Sequence, residues 1–251
     1  MVVYDYLFFT LVFHWEGWLM QQLKYFVLAA TIVAMVASNQ ATAVNVLVNP
    51  GFETDAVLNA PPNPAVTGWT HFGNSTTASA NNDPVRSGIG SLQLAGSGNF
   101  SVPGAFQTFP ASPGQIWDFQ GYMLTEATLP ADITFGLLKI VWEDAGGTDL
   151  APGPILVGQP GPAANPGVES LPFLNSASTP NTWQFTQARG VAPPGTATVS
   201  FFALFVDQSA GTGYFDDLRA TGIPEPASIS LLGLSMLGGA ALVRRRRARR
   251  F

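Results

Sequence analysis

Apolar residues in this chain come in short runs divided by Gly, Pro, Asn and Ser. The runs Val44–Val48, Val66–Phe72, Ser91–Ala95, Ala105–Phe109, Gln115–Thr125, Ile133–Glu143, Trp183–Arg189, Ala197–Val206 and Gly213–Thr221 read as strands. Alternation is plainest in Gln115–Thr125. Trp117, Phe119, Gly121 and Met123 form its apolar side, which is expected to face the core. Ile116, Asp118, Gln120, Tyr122 and Leu124 fall on the other side. Ala197–Val206 is apolar on both sides, which predicts a central strand covered on both faces. Ala145-Gly146-Gly147-Thr148 predicts a hairpin turn, and 151–180, rich in Pro, Gly, Ala, Asn and Ser, a long loop. No segment between residues 44 and 222 has a helical period, so the pattern predicts an all-β sandwich or barrel.

Two apolar runs at the ends do not fit that domain. Lys24 precedes the run Tyr25–Ala37, and Ala41-Thr42-Ala43 offers small residues for cleavage. That layout predicts a signal peptide over 20–43 and a mature chain starting at Val44. Residues 1–19, aromatic-rich but interrupted by Asp5, His14 and Glu16, fit no targeting signal and are expected to lie upstream of a natural start at Met20. At the other end, Ala227–Val243 carries no charge and Arg244-Arg245-Arg246-Arg247-Ala248-Arg249-Arg250 follows it. A helix over 227–243 would be about 25 Å long, enough for a single short membrane span. The arginines favour its cytoplasmic side, so the domain before it is expected outside the cell. Pro224 and Pro226 cannot sit inside such a helix and mark its start. Pro224-Glu225-Pro226, the apolar stretch and the basic end together resemble the PEP-CTERM sorting signal recognised by exosortase-type membrane proteins in polysaccharide-producing bacteria. Without the Pro-Glu-Pro motif the same tail would read as an ordinary single-span anchor.

Once the ends are set apart, the charge picture changes. The domain has four basic residues (Arg86, Lys139, Arg189 and Arg219) against thirteen acidic ones, a net −9, where the whole chain has −5. That balance disfavours nucleic acid as a partner, since little is present to neutralise phosphates. The chain has no cysteine, so an exported domain must be held by its core and by any bound metal ion.

The order of short motifs then becomes informative. Asn45-Val46-Leu47-Val48-Asn49-Pro50-Gly51-Phe52-Glu53 is followed by Gly68-Trp69 and by Ser87-Gly88-Ile89-Gly90-Ser91-Leu92-Gln93-Leu94. Later come Trp183-Gln184-Phe185, Ala192-Pro193 and Tyr214-Phe215-Asp216-Asp217-Leu218. This series resembles jelly-roll carbohydrate-binding modules of the galactose-binding-like kind and covers most of residues 44–222, departing from them over 150–181. The resemblance implies a jelly-roll β-sandwich and a polysaccharide partner. It also implies a structural Ca2+ held by Glu53 and by Asp216 or Asp217 with backbone carbonyls, the bland alternative being that the two aspartates are edge-strand charges.

Catalysis finds little support. His71 is the one histidine between residues 44 and 222, and neither a nucleophile elbow nor a phosphate-binding glycine loop is present. Glu143 and Asp144 are adjacent and would point to opposite faces of a strand, which suits no acid–base pair. Sugar rings stack on aromatic faces, and Trp69, Trp117, Tyr122, Trp142, Trp183 and Tyr214 are the candidates, although core packing is the default role of each. Tyr122 and Trp142, on two long strands expected to share an open face, with Asp118 and Gln120 beside Tyr122, are the expected ligand contacts. The reading is thus an exported, non-catalytic polysaccharide-binding protein, the rival being a structural or adhesive matrix protein and the third choice a glycoside-active enzyme.

Overall fold

A computed structural model describes residues 44–54, 66–73, 75–79 and 84–223. The expected signal peptide, the span over 227–243, Pro224, Glu225, Pro226 and Arg244–Arg247 lie outside them. Thirteen strands occur among the described residues, with no helix. In chain order they are β1 (Thr70–Phe72), β2 (Ser75–Ser79), β3 (Gly90–Gly96), β4 (Gly104–Pro110), β5 (Ile116–Leu124) and β6 (Thr134–Glu143). Four short ones follow, β7 (Asp149–Leu150), β8 (Ile155–Val157), β9 (Gln159–Pro160) and β10 (Val168–Glu169). Three long ones close the domain, β11 (Gln184–Val191), β12 (Thr198–Asp207) and β13 (Gly211–Ile223).

These strands form two antiparallel sheets. The first has the order β1-β4-β12-β6-β10-β9, with β7 added to β6, and the second has β2-β3-β13-β5-β11-β8. The core lies between them, as in a β-sandwich. From β5 come Trp117, Phe119 and Met123, all buried, on the side the alternation predicted. From β12 come Val199, Phe201, Ala203 and Phe205, and from β6 Leu138, Ile140 and Trp142. The Phe201 ring meets Trp117 at 5.4 Å and Phe119 at 5.2 Å, so one side chain of the first sheet joins two of the second. Burial of each such side chain contributes roughly 1.5–3 kcal/mol.

Four expectations need correction. Val44–Val48 is no strand, although it lies beside the last one. Val46 N–H donates to the Ala220 carbonyl, but the next rungs are made by the Asn45 side-chain amide, which donates to the Leu218 carbonyl and accepts from Ala220 N–H. A side chain here replaces the backbone ladder. Val66–Phe72 shortens to the three residues of β1. β12 is central, but its outer face is only half covered, with Phe202 and Val206 half-buried. Lastly, the stretch 151–180, expected to be one long loop, supplies β8 to β10. Leu171 then bridges to Gln187 in one sheet and Leu174 to Gly136 in the other, closing one side of the sandwich.

The hairpin turn is where the sequence puts it. Asp144 Oδ1 accepts from Gly146 N–H and Thr148 N–H, which holds its carboxyl below the usual range, and β6 runs into β7.

Candidate functional site

Strand register fixes which side chains share each outer face. On the first sheet Thr70, Phe106, Phe202 and Lys139 form one row across β1, β4, β12 and β6, and Phe72, Gly104, Leu204 and Leu137 form the next. Phe106 and Phe202 stack at 4.9 Å, and Phe72 lies 6.3 Å from Phe106. A Cβ on Gly104 would come within 2.5 Å of the tip of the Phe72 ring, so the glycine makes room for that ring across β4. Leu137 and Leu204 are buried between half-buried phenylalanines, with Phe135 stacked on Phe173 at 5.3 Å beyond them. In the opposite direction along the strands the face turns polar. Thr108 and Ser200 hydroxyls meet at 2.8 Å, and Ser200 and Thr198 donate to the Glu143 carboxylate at 3.1 and 3.2 Å. Lys139 is buried, with Nζ donating to the Asn165 carbonyl at 2.7 Å and to Glu169 at 3.4 Å. Burial pulls its pKa down, and Glu169 partly offsets this.

Tyr122, Asp118 and Gln120 stand together on the outer face of the second sheet, as expected. Trp142 does not join them. It belongs to the other sheet and is fully buried, so it offers no ring face to a ligand. The sequence signal was present in β6, where Lys139 and Glu143 mark the outer side and Leu138, Ile140 and Trp142 share the other. Trp69, Trp117 and Tyr214 are also buried, as their default role has it. Across the second sheet, Phe185 pairs with Tyr122, Gln187 with Gln120 and Arg189 with Asp118. Arg219 flanks Gln120, and Thr221 flanks Asp118, on β13. Gln187 donates to both Asp118 oxygens, at 2.8 and 2.9 Å. The Arg86 guanidinium carbon lies 3.4 Å from the centre of the Tyr122 ring, and the same group pairs with Asp217.

Glu53, Asp216 and Asp217 meet at the segment leading into β3. Asp216 is fully buried, and its Oδ2 accepts from Arg86 N–H at 2.9 Å and Ser87 N–H at 3.2 Å. Burial is the main cause that raises its pKa to about 6. Glu53 Oε2 accepts from Ile89 N–H at 2.7 Å. Gly88 sits at φ +67°, where a Cβ would lie 2.1 Å from Glu53 Oε1, so only glycine lets this carboxylate reach the turn. Glu53 Oε1 and Asp216 Oδ1 both lie within 4 Å of one point beside Gly51. Asp217 is turned away from them. A bulge after Asp216 puts it at φ +51°, where it reaches Arg86 and accepts from the Ser87 hydroxyl at 2.7 Å. The buried Leu218 occupies the space over Gly121 on the inner side. Among the described residues no group of three or more His, Cys, Asp or Glu side chains is arranged to hold a metal. Of the three residues expected to hold a metal, Glu53 and Asp216 are brought side by side and Asp217 is not.

The phenylalanine row was missed from sequence because each strand shows only one or two of its rings. The available signal was the passage from Thr198 and Ser200 to Phe202 and Leu204 along one side of β12.

Residues 222–247 match the PEP-CTERM protein-sorting motif, a signal for export and exosortase sorting. A comparison with curated proteins finds no match. Among solved structures, the enzymatically active domain of tailspike protein 4 from bacteriophage CBA120 is 16% identical with a TM-score of 0.48. That match covers 72% of this chain and 22% of the tailspike chain. A CBM61 module in complex with β-1,4-galactotriose is 16% identical, covering 71% of this chain and 98% of its own, with a TM-score of 0.44. The CBM22-1 xylan-binding domain of Paenibacillus barcinonensis Xyn10C is 13% identical, covering 73% and 98%, with a TM-score of 0.45.

Proposed function

We propose that this is a non-catalytic polysaccharide-binding protein of the cell surface or extracellular matrix, exported and sorted through its Pro-Glu-Pro tail. The observation that supports this most is the outer face of the first sheet. There Phe72, Phe106 and Phe202 form a row of rings next to the Thr108–Ser200–Glu143 hydrogen-bond strip. A pyranose has an apolar C–H face and a rim of hydroxyls, and this surface offers a partner to each. Glu143 serves as a hydrogen-bond acceptor in this reading, not as an acid. In transit the chain is held by the apolar segment 227–243 and handled by an exosortase-type protein of the membrane.

A structural calcium ion belongs to the same proposal. Asp216 is a buried carboxylate with a raised pKa, so its charge is costly where it stands, and a cation shared with Glu53 would relieve that cost. The ion would fasten the segment before β3 to β13 and supply no chemistry to a ligand.

The test is affinity electrophoresis of the full-length protein, in detergent, through gels containing neutral polysaccharides such as xylan and galactan. Retardation by one polymer is expected, and Phe106→Ala or Phe202→Ala should reduce it at least tenfold while thermal melting stays cooperative. Trp142→Phe should leave it unchanged. Mobility unaffected by every polymer would favour the structural or adhesive reading instead.

A further inference from the structure

The apolar ground on the outer face of the first sheet is larger than its row of rings. Ser101 bridges to Asp207, and Phe205 N–H donates to the Pro103 carbonyl, so the pairing with β12 runs on beyond the start of β4. Val102 therefore stands opposite Val206, and Val206 opposite Phe135. Phe173 stacks on Phe135 at 5.3 Å. Three apolar rows result: Phe106 with Phe202, then Phe72 with Leu204 and Leu137, then Val102 with Val206 and Phe135. Rows two residues apart are separated by about 7 Å, so the apolar ground extends about 14 Å along the strands.

The rows differ in what lies beside them. Phe106 and Phe202 adjoin the Thr108 and Ser200 hydroxyls, whereas the two further rows hold no hydrogen-bonding side chain among the described residues. Leu204 and Leu137 are buried and form the floor of these rows. Phe72 is 37% and Val102 40% exposed, with Val206, Phe135 and Phe173 half-buried, so the ground is open to solvent. A sugar ring on Phe106 and Phe202 thus meets hydrogen-bonding partners on one side only. A hydroxyl turned toward Leu204 and Val206 would lose water and gain no partner, which costs free energy. An apolar group in the same position gains from its burial. Because the ground runs two rows beyond the rings, it suits a group that projects from the sugar, such as the methyl of an O-acetyl ester.

Charge narrows the polymer further. Lys139, the cation at the end of the ring row, is buried and donates to the Asn165 carbonyl and Glu169. Glu143 already accepts from Ser200 and Thr198. With four basic residues against thirteen acidic ones between residues 44 and 222, the domain repels a polyanion.

We propose that the first sheet binds a neutral polysaccharide carrying O-acetyl esters, with a sugar ring on Phe106 and Phe202 and the acetyl methyl against Val102, Val206 and Phe135. This inference rests on the polysaccharide-binding reading and adds the substituent to it.

The experiment uses the full-length protein in detergent, run through native gels containing a neutral arabinoxylan. Parallel gels contain the same polymer O-acetylated to a low degree, and the acetylated polymer stripped again with mild alkali. A galactan treated in the same way forms a second series. With at least one backbone, the acetylated form should bind about fivefold more tightly than the other two. Val102→Thr with Val206→Thr keeps the shape of the third row and puts hydroxyls into it. This double variant should lose the preference and keep its binding of the unacetylated polymer, whereas Phe106→Ala should weaken binding of every form. Where the double variant fails to fold, Val102→Thr at the exposed position carries the test and should at least halve the preference. Equal binding of all forms, or tighter binding without acetyl groups, would overturn the acetyl assignment and leave the polysaccharide reading standing. Binding of no form of either polymer would overturn both. A preference that survives in the folded double variant would arise elsewhere on the protein and end the assignment to this face.

Discussion

The guanidinium carbon of Arg86 lies 3.4 Å from the centre of the Tyr122 ring. This stack connects the segment before β3 to the middle of the second sheet, and the Asp217 ion pair holds the guanidinium over the ring. A half-exposed cation–π contact contributes roughly 0.5–1 kcal/mol. A double-mutant cycle of Arg86→Ala and Tyr122→Leu, read by urea unfolding, should return a coupling of about that size. Zero coupling would mean that the stack is geometry without stabilisation.

The raised pKa of Asp216 gives a pH dependence with a definite sign. The folded state binds this proton up to about pH 6 and the unfolded state only to about 3.8, the ordinary value of an aspartate. Between these values the folded state holds more protons, so this group's contribution to stability falls as pH rises from about 4 to 6. In chelator, wild-type stability measured relative to Asp216→Asn should therefore decline across that window and level off above it. Parallel profiles would contradict the assignment.

Calcium should behave in the opposite direction. A cation on Glu53 and Asp216 needs both ionised, so its stabilisation should be complete above about pH 6 and fade as protons displace it below. Glu53→Gln should lower the melting temperature and remove the calcium response. Identical melting with calcium and with chelator at pH 7 would rule the ion out.

Asp207 is fully buried at the end of β12, where its carboxylate accepts from Gly98 N–H and the Ser101 hydroxyl. Asp207→Ala would leave that buried N–H without an acceptor. The expected loss is about 2–3 kcal/mol by urea unfolding, with the segment between β3 and β4 gaining the fastest hydrogen exchange. A loss within error of zero would show that water replaces the carboxylate.

The tail makes a prediction of its own. Protein recovered from its producing cells should lack Arg244–Arg250 by intact mass, since the motif over 222–247 marks the chain for processing. Intact arginines would indicate a plain membrane anchor.

Sequence showed the long strands and the inner side of β5 because polarity alternates there, as in Asp118 and Gln120 against Trp117 and Phe119. It brought Glu53 and Asp216 to one place through short motifs at the two ends of the domain. It failed at Trp142, which shares the uncharged side of β6 with Leu138 and Ile140, opposite Lys139 and Glu143, so the same alternation assigns it to the core. It failed again where a site is assembled across strands. Phe72, Phe106 and Phe202 come from β1, β4 and β12, and only the register between them reveals a row. Arg86 posed a third difficulty, because a loop residue stacking on a strand residue 36 positions away (Arg86 to Tyr122) leaves no periodic trace.

β13 ends at Ile223, directly before the Pro-Glu-Pro motif, and is an interior strand with β5 along one side. Along the other run β3 and, further on, the Asn45–Pro50 segment. Tension on the C-terminus of a tethered protein would thus act along the axis of a strand whose hydrogen bonds lie perpendicular to it. Those bonds must shear together; they cannot be peeled off one at a time, as they could from an edge. Were the chain held from this end, the load would enter the domain through a strand that resists in shear, and a protein pulled by a matrix polymer should lose its grip on the polymer before its last strand leaves the sheet.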